Sequence, residues 1–369
     1  MRIAQVSPLY ESVPPKLYGG TERVVSYLTE ELVRLGHDVT LFASGDSVTA
    51  ARLRAPCPTA LRLDPHCIDS LAPHVRMLGW VYQHADDFDV IHCHTDYLGL
   101  PLTRCTRTPT VITLHGRLNI PDITPLYYDY PEVPLISIST AQRQPLPLAN
   151  WVATVHHGLP SDLYPFQPKP DSYLLFLGRI SPEKCPDAAI RIALRAGIPL
   201  RIAAKVDKVD QKYFETTIRP YLDHPLIEFL GEADESRKQE LLGHALALLF
   251  PIDWPEPFGL VMVESLACGT PVITRRRGSV PEVLQHGRTG FICETEDEMV
   301  AAVHQIAALD RAACREAFEK RFTARHMAQN YLKVYQRLIA AKAPAKLADT
   351  IPLRHRLPKQ ARSGTIPHG

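Results

Sequence analysis

The sequence predicts an α/β protein made of two doubly wound domains, and three observations support this. Short apolar runs that are typical of buried strands alternate with amphipathic stretches that are typical of helices. The first such unit, over residues 2–43, runs strand, glycine turn, helix, strand, which is the order of a mononucleotide-binding half. The length of 369 residues suits two domains of ordinary size.

Composition restricts the classes of function. The net charge of +1 gives no bulk attraction to nucleic acid or to an anionic membrane. The eight cysteines are scattered without close pairs, as expected of free thiols in a reducing compartment. Residues 1–6 have the pattern of a strand rather than of a signal peptide, and no apolar run reaches the length of a transmembrane helix. We therefore expect a cytoplasmic protein with no nucleic-acid partner and at most weak contact with the inner face of the membrane.

A long proline-rich loop, residues 9–20, follows the first predicted strand and ends in Gly19 and Gly20. The amphipathic stretch 21–36 then predicts a helix with Thr21 as its N-cap and Gly36 at its end. A glycine turn before a helix lets the backbone approach a phosphate, although glycine pairs also occur in many ordinary tight turns.

Histidines end two predicted strands of the first domain. His92 and His94 alternate to one face of a strand, but no third ligand accompanies them, so structural or cleft-lining roles are favoured over a metal site. His115 ends the strand over residues 110–115, and the carboxyl ends of parallel strands are where such sheets bind ligands. A satisfied structural histidine is the alternative interpretation of His115.

The second domain is expected to begin after a glycine–proline turn at residues 158–160, so we predict domains over residues 1–157 and 158–321. Its first strand, residues 173–179, ends at Arg179, and Lys184 follows in the turn to the next helix. Two cations in such a turn can neutralise a leaving diphosphate, although an arginine and a lysine in a loop are more often solvated.

The most informative stretch is residues 254–264, which reads as a proline-rich turn between a buried strand and a helix. It contains two carboxylates, Glu256 in the turn and Glu264 in the helix. The first helical N–H groups, near residues 258–260, form an anion site, because they have no intrahelical partner and lie at the positive end of the dipole. Glu264 lies about 7 Å further along the axis, where a carboxylate can accept hydrogen bonds from a ribose diol. A solvated helix face is the alternative, but the neighbours of Glu264 are apolar.

The end of the chain divides into two parts. Residues 322–341 predict a long amphipathic helix, and residues 342–369 are basic, contain proline and have few large apolar side chains, so we expect them to form a mobile tail.

Several motifs in order resemble the retaining glycosyltransferases of the GT-B fold, family 4 in particular (the glycosyl transferases group 1). Glu256 and Glu264 match the E-x7-E motif, and the sequences at 266–273, 278–282 and 287–291 are similar to the family as well. The similarity extends over about residues 1–340. The resemblance implies two Rossmann-like doubly wound domains facing a central cleft, with the helix over residues 322–341 crossing back onto the first domain.

The resemblance also implies roles for ten residues. His115 would touch hydroxyls of the donor sugar and Glu256 would hold a sugar hydroxyl, expected at O3. Arg179 and Lys184 would stabilise the leaving diphosphate, and these four form the expected catalytic set. The expected donor-binding set is Gly19, Gly20, Phe258, Gly259, Leu260 and Glu264. The loop that precedes Gly19 would border the acceptor, and its length suggests a mobile lid.

The expected activity is transfer of a hexosyl group from a nucleotide-sugar to an acceptor with retention of anomeric configuration (EC 2.4). No cofactor or metal is expected, since the cations replace a divalent ion and no Asp-x-Asp motif is present. The acceptor could be a saccharide, a small molecule or a lipid-linked molecule, of which a soluble one is favoured. The alternatives are a non-catalytic nucleotide-sugar-binding protein and a sugar-nucleotide epimerase of the same fold.

Overall fold

The computed structural model describes residues 1–16 and 19–341 and contains two parallel sheets. The predicted tail, residues 342–369, and Leu17 and Tyr18 of the predicted lid lie outside the described residues. None of the described helices is both long and apolar enough to span a bilayer.

The N-terminal half is built on a seven-stranded sheet of order β3-β2-β1-β4-β5-β6-β7. Its strands are β1 (Arg2–Val6), β2 (Asp38–Phe42), β3 (Arg52–Arg54), β4 (Val90–Cys93), β5 (Thr110–Thr113), β6 (Leu135–Ser137) and β7 (Trp151–Thr154). Its helices are α1 (Gly20–Arg34), α2 (Leu71–Gln83), α3 (Leu100–Thr103) and α4 (Ile123–Tyr128).

The C-terminal half is built on a six-stranded sheet of order β10-β9-β8-β11-β12-β13, which is the Rossmann order. Its strands are β8 (Leu174–Arg179), β9 (Leu200–Lys205), β10 (Ile227–Gly231), β11 (Ala247–Phe250), β12 (Val272–Arg275) and β13 (Gly290–Cys293). Its helices are α5 (Pro186–Ala196), α6 (Gln211–Tyr213), α7 (Glu235–His244), α8 (Leu260–Cys268), α9 (Val280–Val283), α10 (Glu296–Gln305) and α11 (Arg311–Arg321). The predicted boundary at residue 157 falls between the two sheets and stays a prediction.

The last described helix, α12 (Ala324–Ala341), returns to the N-terminal half. Its buried residues, among them Tyr331 and Tyr335, join one apolar cluster with Ile3 of β1 and Val24 and Leu28 of α1. The chain therefore passes between the halves twice, and the two passages run side by side: the N–H of Leu159 donates to the carbonyl of Phe322 (2.8 Å) and its carbonyl accepts from Ala324 (2.7 Å).

The start of α1 differs from the sequence prediction. The N-cap is Gly19 and Thr21 lies inside the first turn, so Thr21 is not the cap. A Cβ on Gly19 would lie 2.7 Å from Cβ of Pro15, and this close approach explains why glycine occupies the position. The described part of the preceding loop is anchored, since Val13 donates to Ser47 Oγ (2.9 Å) and accepts from the N–H of Val48 (2.9 Å). Motion of the predicted lid stays a prediction.

Candidate active site

A cleft of about 640 Å³ is lined by residues of both halves. All ten residues that the sequence analysis named as catalytic or donor-binding lie on its walls: Gly19, Gly20, His115, Arg179, Lys184, Glu256, Phe258, Gly259, Leu260 and Glu264. The structure therefore brings the whole predicted set to one place, while the role of each residue stays a prediction.

The strand orders explain this convergence. In each sheet the order reverses beside one strand, between β1 and β4 in the first sheet and between β8 and β11 in the second. Open α/β sheets bind ligands at such switch points, outside the carboxyl ends of the strands. Arg179 is the last residue of β8, and the segments that leave β1, β4 and β11 at these ends carry Gly19, His94 and Glu256.

The first carboxylate of the E-x7-E motif, Glu256, is buried in the turn between β11 and α8. It forms an ion pair with Lys184, and the indole Nε1 of Trp254 donates to its Oε2 at 2.9 Å. The Lys184 ammonium also lies 4.8 Å from the centre of the Trp254 ring. A buried carboxylate held by a cation and an N–H donor is fixed in position, and one carboxylate oxygen remains to accept further hydrogen bonds.

The second carboxylate, Glu264, is 5 % exposed on the cleft side of α8. Its Oε1 accepts from Lys238 Nζ of α7 at 3.0 Å. Lys238 also lies 3.2 Å from Glu235, and Glu235 bonds with Tyr164 and with Arg23 of α1. The buried Glu264 thus belongs to a charged cluster that reaches the opposite half, and the interpretation of a solvated helix face is wrong.

The turn before α8 is held by close backbone packing. Gly259, the N-cap of α8, has φ of 77° and directs the first N–H groups of the helix towards the cleft wall. A Cβ on Gly278 would lie 2.3 Å from the carbonyl oxygen of Glu256, so the 278–282 segment lies directly against the turn. Ser279 adds two hydrogen bonds, from its N–H to Glu256 O (2.9 Å) and from its Oγ to Phe258 O (2.8 Å). This packing fixes the backbone of the turn in which the sequence predicts an anion site.

Arg179 and Lys184 occupy the other side of the site. Arg179 ends β8, and its guanidinium contacts Glu183 (3.2 Å) and Asp207 (3.6 Å). Lys184 follows on the one-turn segment between β8 and α5, and its side chain is 14 % exposed. Both cations line the same cleft as the N-terminus of α8, and each is paired with at least one carboxylate.

His115 is the end of a buried hydrogen-bond chain. Its Nε2 lies 2.8 Å from Nδ1 of His94, and Nε2 of His94 lies 2.8 Å from Oε1 of Gln5. Because the amide oxygen accepts only, His94 donates to Gln5 and accepts from His115, which fixes Nδ1 of His115 as an acceptor. Among the described residues, that Nδ1 is buried without a hydrogen-bond partner. His115 therefore presents a lone pair for which a sugar hydroxyl is a suitable donor.

The histidine cluster is electrically neutral near pH 7. Burial lowers the pKa of His115 to about 3 and lowers the pKa values of His92, His94 and His157 well below their ordinary value. Both ring nitrogens of His92 are occupied, Nδ1 by the hydroxyl of Tyr335 (2.6 Å) and Nε2 by Thr113 Oγ1 (2.7 Å). His92 is therefore fully bonded within the core, whereas His94 also lines the cleft. The part of the chain that the structure describes contains no group of three or more residues placed to hold a metal ion.

Two further contacts join the halves. The carboxylate of Glu282 accepts from the N–H groups of Thr140 (2.7 Å) and Ala141 (2.8 Å), and the guanidinium of Arg117 lies 5.9 Å from the centre of the Trp254 ring. Glu282 and Arg117 therefore add to the contact that Arg23 makes between the halves.

Some residues of the site could not be found from sequence. Lys238 and Glu235 lie on a helix with a polar composition, and nothing in that pattern separates a cleft-facing pair from a solvated one. Arg23 likewise resembles an ordinary surface residue of an amphipathic helix, although it is buried between the halves. Trp254 stands at the start of the E-x7-E stretch, and its position there was the only signal.

Two doubly wound sheets with a cleft at both switch points are the architecture of the GT-B fold. Solved structures support this assignment. The sucrose-phosphate synthase of Thermosynechococcus elongatus superposes with a TM-score of 0.74 at 19% identity, over 92% of this chain and 100% of that one. Anabaena HepE in complex with UDP and glucose gives a TM-score of 0.69 at 18% identity, over 91% of this chain and 100% of that one.

Sequence comparison identifies the family. The model of glycosyltransferase family 4 matches residues 18–180, and the model of glycosyl transferases group 1 matches residues 165–323. The alpha-maltose-1-phosphate synthase of Mycolicibacterium smegmatis is 25% identical over 92% of this chain and 100% of its own length. The chain therefore belongs to the family-4-like glycosyltransferases of the GT-B fold. The family and the fold class predicted from the sequence are confirmed.

Proposed function

We propose that this glycosyltransferase transfers a hexosyl group from a nucleotide-sugar, with retention of anomeric configuration. The proposal depends most on one observation: two buried carboxylates, Glu256 and Glu264, flank the N-terminus of α8 on the wall of the cleft. A nucleotide-sugar presents a hydroxyl-rich sugar, a diphosphate and a ribose in that order, and the site offers a carboxylate, an anion site and a second carboxylate.

Each part of the donor has a proposed partner. The ribose hydroxyls donate to Glu264, whose other contact is Lys238. The diphosphate lies against the first N–H groups of α8, with Arg179 and Lys184 supplying positive charge as the glycosidic bond breaks. A sugar hydroxyl donates to Glu256, and another donates to Nδ1 of His115. These charges are supplied by the chain itself, so we propose that no divalent ion is needed.

For the nucleotide of the donor, UDP is the first candidate. Anabaena HepE, which shares the fold, was solved with UDP and glucose. A thermal-shift screen of the full chain against UDP, GDP and ADP and their hexose conjugates tests the proposal. A ligand at about 100 times its Kd stabilises a protein by about 2.7 kcal/mol, which such a screen detects readily.

The matched variants are E264Q and E240Q. Glu240 is an exposed glutamate of α7 whose partner is Arg237, so it controls for the loss of one carboxylate. We expect E264Q to weaken donor binding by about 10- to 100-fold, because hydrogen bonds to a charged acceptor are lost, and E240Q to bind as the wild type does. Equal affinities, or no shift with any of the ligands, would contradict the donor site. The anomeric configuration of the transferred sugar, measured by NMR, tests retention.

A further inference from the structure

One lysine of the charged cluster around Glu264 is shared between two carboxylates. Nζ of Lys238 lies 3.0 Å from Oε1 of Glu264 and 3.2 Å from Oε2 of Glu235. The same ammonium donates to the hydroxyl of Tyr164 at 3.1 Å. The side chains of Lys238 and Glu264 are 14 % and 7 % exposed, so water screens their interaction only weakly. Because the two carboxylates compete at nearly equal distances, the position of the ammonium depends on the other charges around each of them.

Arg23 of α1, in the N-terminal half, supplies the charge that balances Glu235. Its Nη1 pairs with the same Oε2 of Glu235 that faces Lys238. Arg23 is buried, and a hydrogen bond with Tyr27, one turn further along α1, holds it from its own helix. Although burial opposes the charge, Glu235 and Tyr27 raise the pKa of Arg23 above its ordinary value. One half of the molecule therefore places a fixed positive charge on a carboxylate of the other half.

Glu235 is charged as well, but it does not belong to the lining of the cleft. Burial opposes its ionisation, and Lys238 and Arg23 outweigh this effect and lower its pKa. Arg23, Lys238 and Glu264 all line the cleft, whereas Glu235 lies behind them, where its Oε1 accepts from Tyr164. Glu235 therefore acts on a ligand only through the two cations beside it.

The charge balance of the cluster controls how well Glu264 can accept hydrogen bonds. Without the charge of Arg23, Glu235 would attract Lys238 more strongly and draw its ammonium away from Glu264. A buried carboxylate that loses its cation binds a proton more readily and is no longer fixed in orientation. Either change weakens the hydrogen bonds that it accepts, because a charged acceptor forms stronger bonds than a neutral one.

We propose that Arg23 is a positioning residue for the donor: by neutralising Glu235 it keeps Lys238 on Glu264, the predicted partner of the ribose. A residue of the N-terminal half thus sets the strength of a contact that the C-terminal half makes. The inference rests on the proposed function, in which the ribose hydroxyls donate to Glu264. Since Arg23 itself lines the cleft, direct contact with the diphosphate is the alternative that the test must separate.

The test compares two ligands of the full chain by isothermal titration calorimetry. UDP and 2′,3′-dideoxy-UDP share the base and the diphosphate, so the ratio of their Kd values measures the ribose contact alone. GDP or ADP and its dideoxy form replace them if the thermal-shift screen selects that nucleotide. We expect the wild type to prefer the ribonucleotide by about 10- to 100-fold. R23Q should weaken UDP binding by about 5- to 50-fold and leave the affinity for dideoxy-UDP unchanged.

Compensating variants test the role of Glu235. In R23Q/E235Q the competing carboxylate is gone, so Lys238 returns to Glu264 and most of the affinity for UDP should be restored. E235Q alone should lose no affinity for the same reason, and R23K should bind UDP nearly as the wild type does because it keeps the charge. R237Q and E240Q, which break an exposed ion pair within α7, are the matched controls.

The outcomes separate this inference from the donor site. Equal losses for UDP and dideoxy-UDP in R23Q, or a loss that persists in R23Q/E235Q, would overturn the positioning role, as would an R23Q affinity equal to that of R237Q. Weaker UDP binding in E235Q would also overturn it, and this variant decides the matter if circular dichroism shows R23Q to be unfolded. Absence of nucleotide binding in the wild type would overturn both the positioning role and the proposed function.

Discussion

The contacts of Lys184 indicate how one residue of the cleft would respond to the proposed donor. It is paired with Glu256 and lies over the ring of Trp254. In the donor complex proposed above, a diphosphate would offer Lys184 a partner of higher charge, and Glu256 would be released to accept a hydrogen bond from the sugar. The Lys184–Glu256 ion pair thus joins the proposed partner of the diphosphate to the proposed partner of the sugar. Loss of Lys184 should therefore affect both contacts.

Substitution of Lys184 tests this connection. We expect K184M to lower kcat by about 10²–10³, because a cation that acts on charge developing in the transition state is lost. K212M, which removes an exposed lysine of α6, should keep the wild-type rate. Treatment of the wild type with EDTA should also leave the rate unchanged. A K184M rate equal to that of K212M, or loss of activity in EDTA, would contradict the assignment of diphosphate neutralisation to the side chains.

The sequence located residues that carry a recognisable pattern and missed those that do not. Glu264 was found because a carboxylate among apolar neighbours needs a partner, and Glu256 because it stands in the proline-rich turn at the E-x7-E spacing before it. That partner, Lys238, was missed, because a lysine on a polar helix has the same pattern whether it faces a cleft or solvent. The left-handed conformation of Asp96, which lines the cleft, could not be predicted either, because the backbone conformation of one residue leaves no trace in composition or periodicity.

Helices whose ends are marked by proline and glycine can be predicted closely from the sequence. The limits of helix α5, Pro186–Ala196, can be recognised in the sequence, because a proline stands in its first turn and Gly197 follows its end. The edge strand β3 at Arg52–Arg54 was not predicted, since three residues, two of them arginines, give no apolar alternation. The 278–282 segment was recognised as a motif, but its packing against Glu256 depends on contacts across the chain.

That packing predicts unequal effects of two similar glycine substitutions. Gly278 and Gly287 both have positive φ, of 51° and 75°, but a Cβ at Gly278 would meet the backbone of Glu256 whereas nothing lies within 4 Å of one at Gly287. We expect G287A to cost about 1–2 kcal/mol from the left-handed backbone alone. G278A should cost more, because it must also displace the Glu256 turn, and it should weaken donor turnover.

Thermal unfolding midpoints and kcat/KM for the donor measure the two effects. If G278A and G287A lose the same stability, and both keep the wild-type kcat/KM, the contact of the 278–282 segment with the turn does not position Glu256.

At the scale of the whole molecule, Glu282 couples the halves. Its carboxylate accepts from two N–H groups of the N-terminal half and lies 3.3 Å from His156 Nε2. Although burial opposes ionisation, these hydrogen bonds outweigh it, and they lower the pKa of Glu282 to about 2. A carboxylate with a lowered pKa stabilises the folded state fully above its unfolded pKa, and this contribution disappears as the pH falls through its folded pKa.

We therefore predict that E282Q is less stable than the wild type at pH 7 by about 1–2 kcal/mol, a value that allows for solvent screening of a partly exposed group. The difference should shrink as the pH falls from about 4.5 towards 2, because the wild-type carboxylate then loses its advantage. Chemical denaturation of both proteins across this range measures the difference. E319Q, which breaks an exposed pair within α11, is the control, and a pH-independent difference for E282Q would contradict the assignment.

Because α12 packs on the N-terminal half, the order of synthesis determines when the core of that half can be completed. A ribosome completes residues 1–157 long before it reaches α12, so during synthesis the apolar surface around Ile3 and Val24 lacks Tyr331 and Tyr335. Multidomain chains generally fold domain by domain as they emerge. The N-terminal half of this protein can complete its core only after the C-terminal half has been translated. A nascent chain stalled before residue 324 therefore exposes an apolar surface to which chaperones can bind.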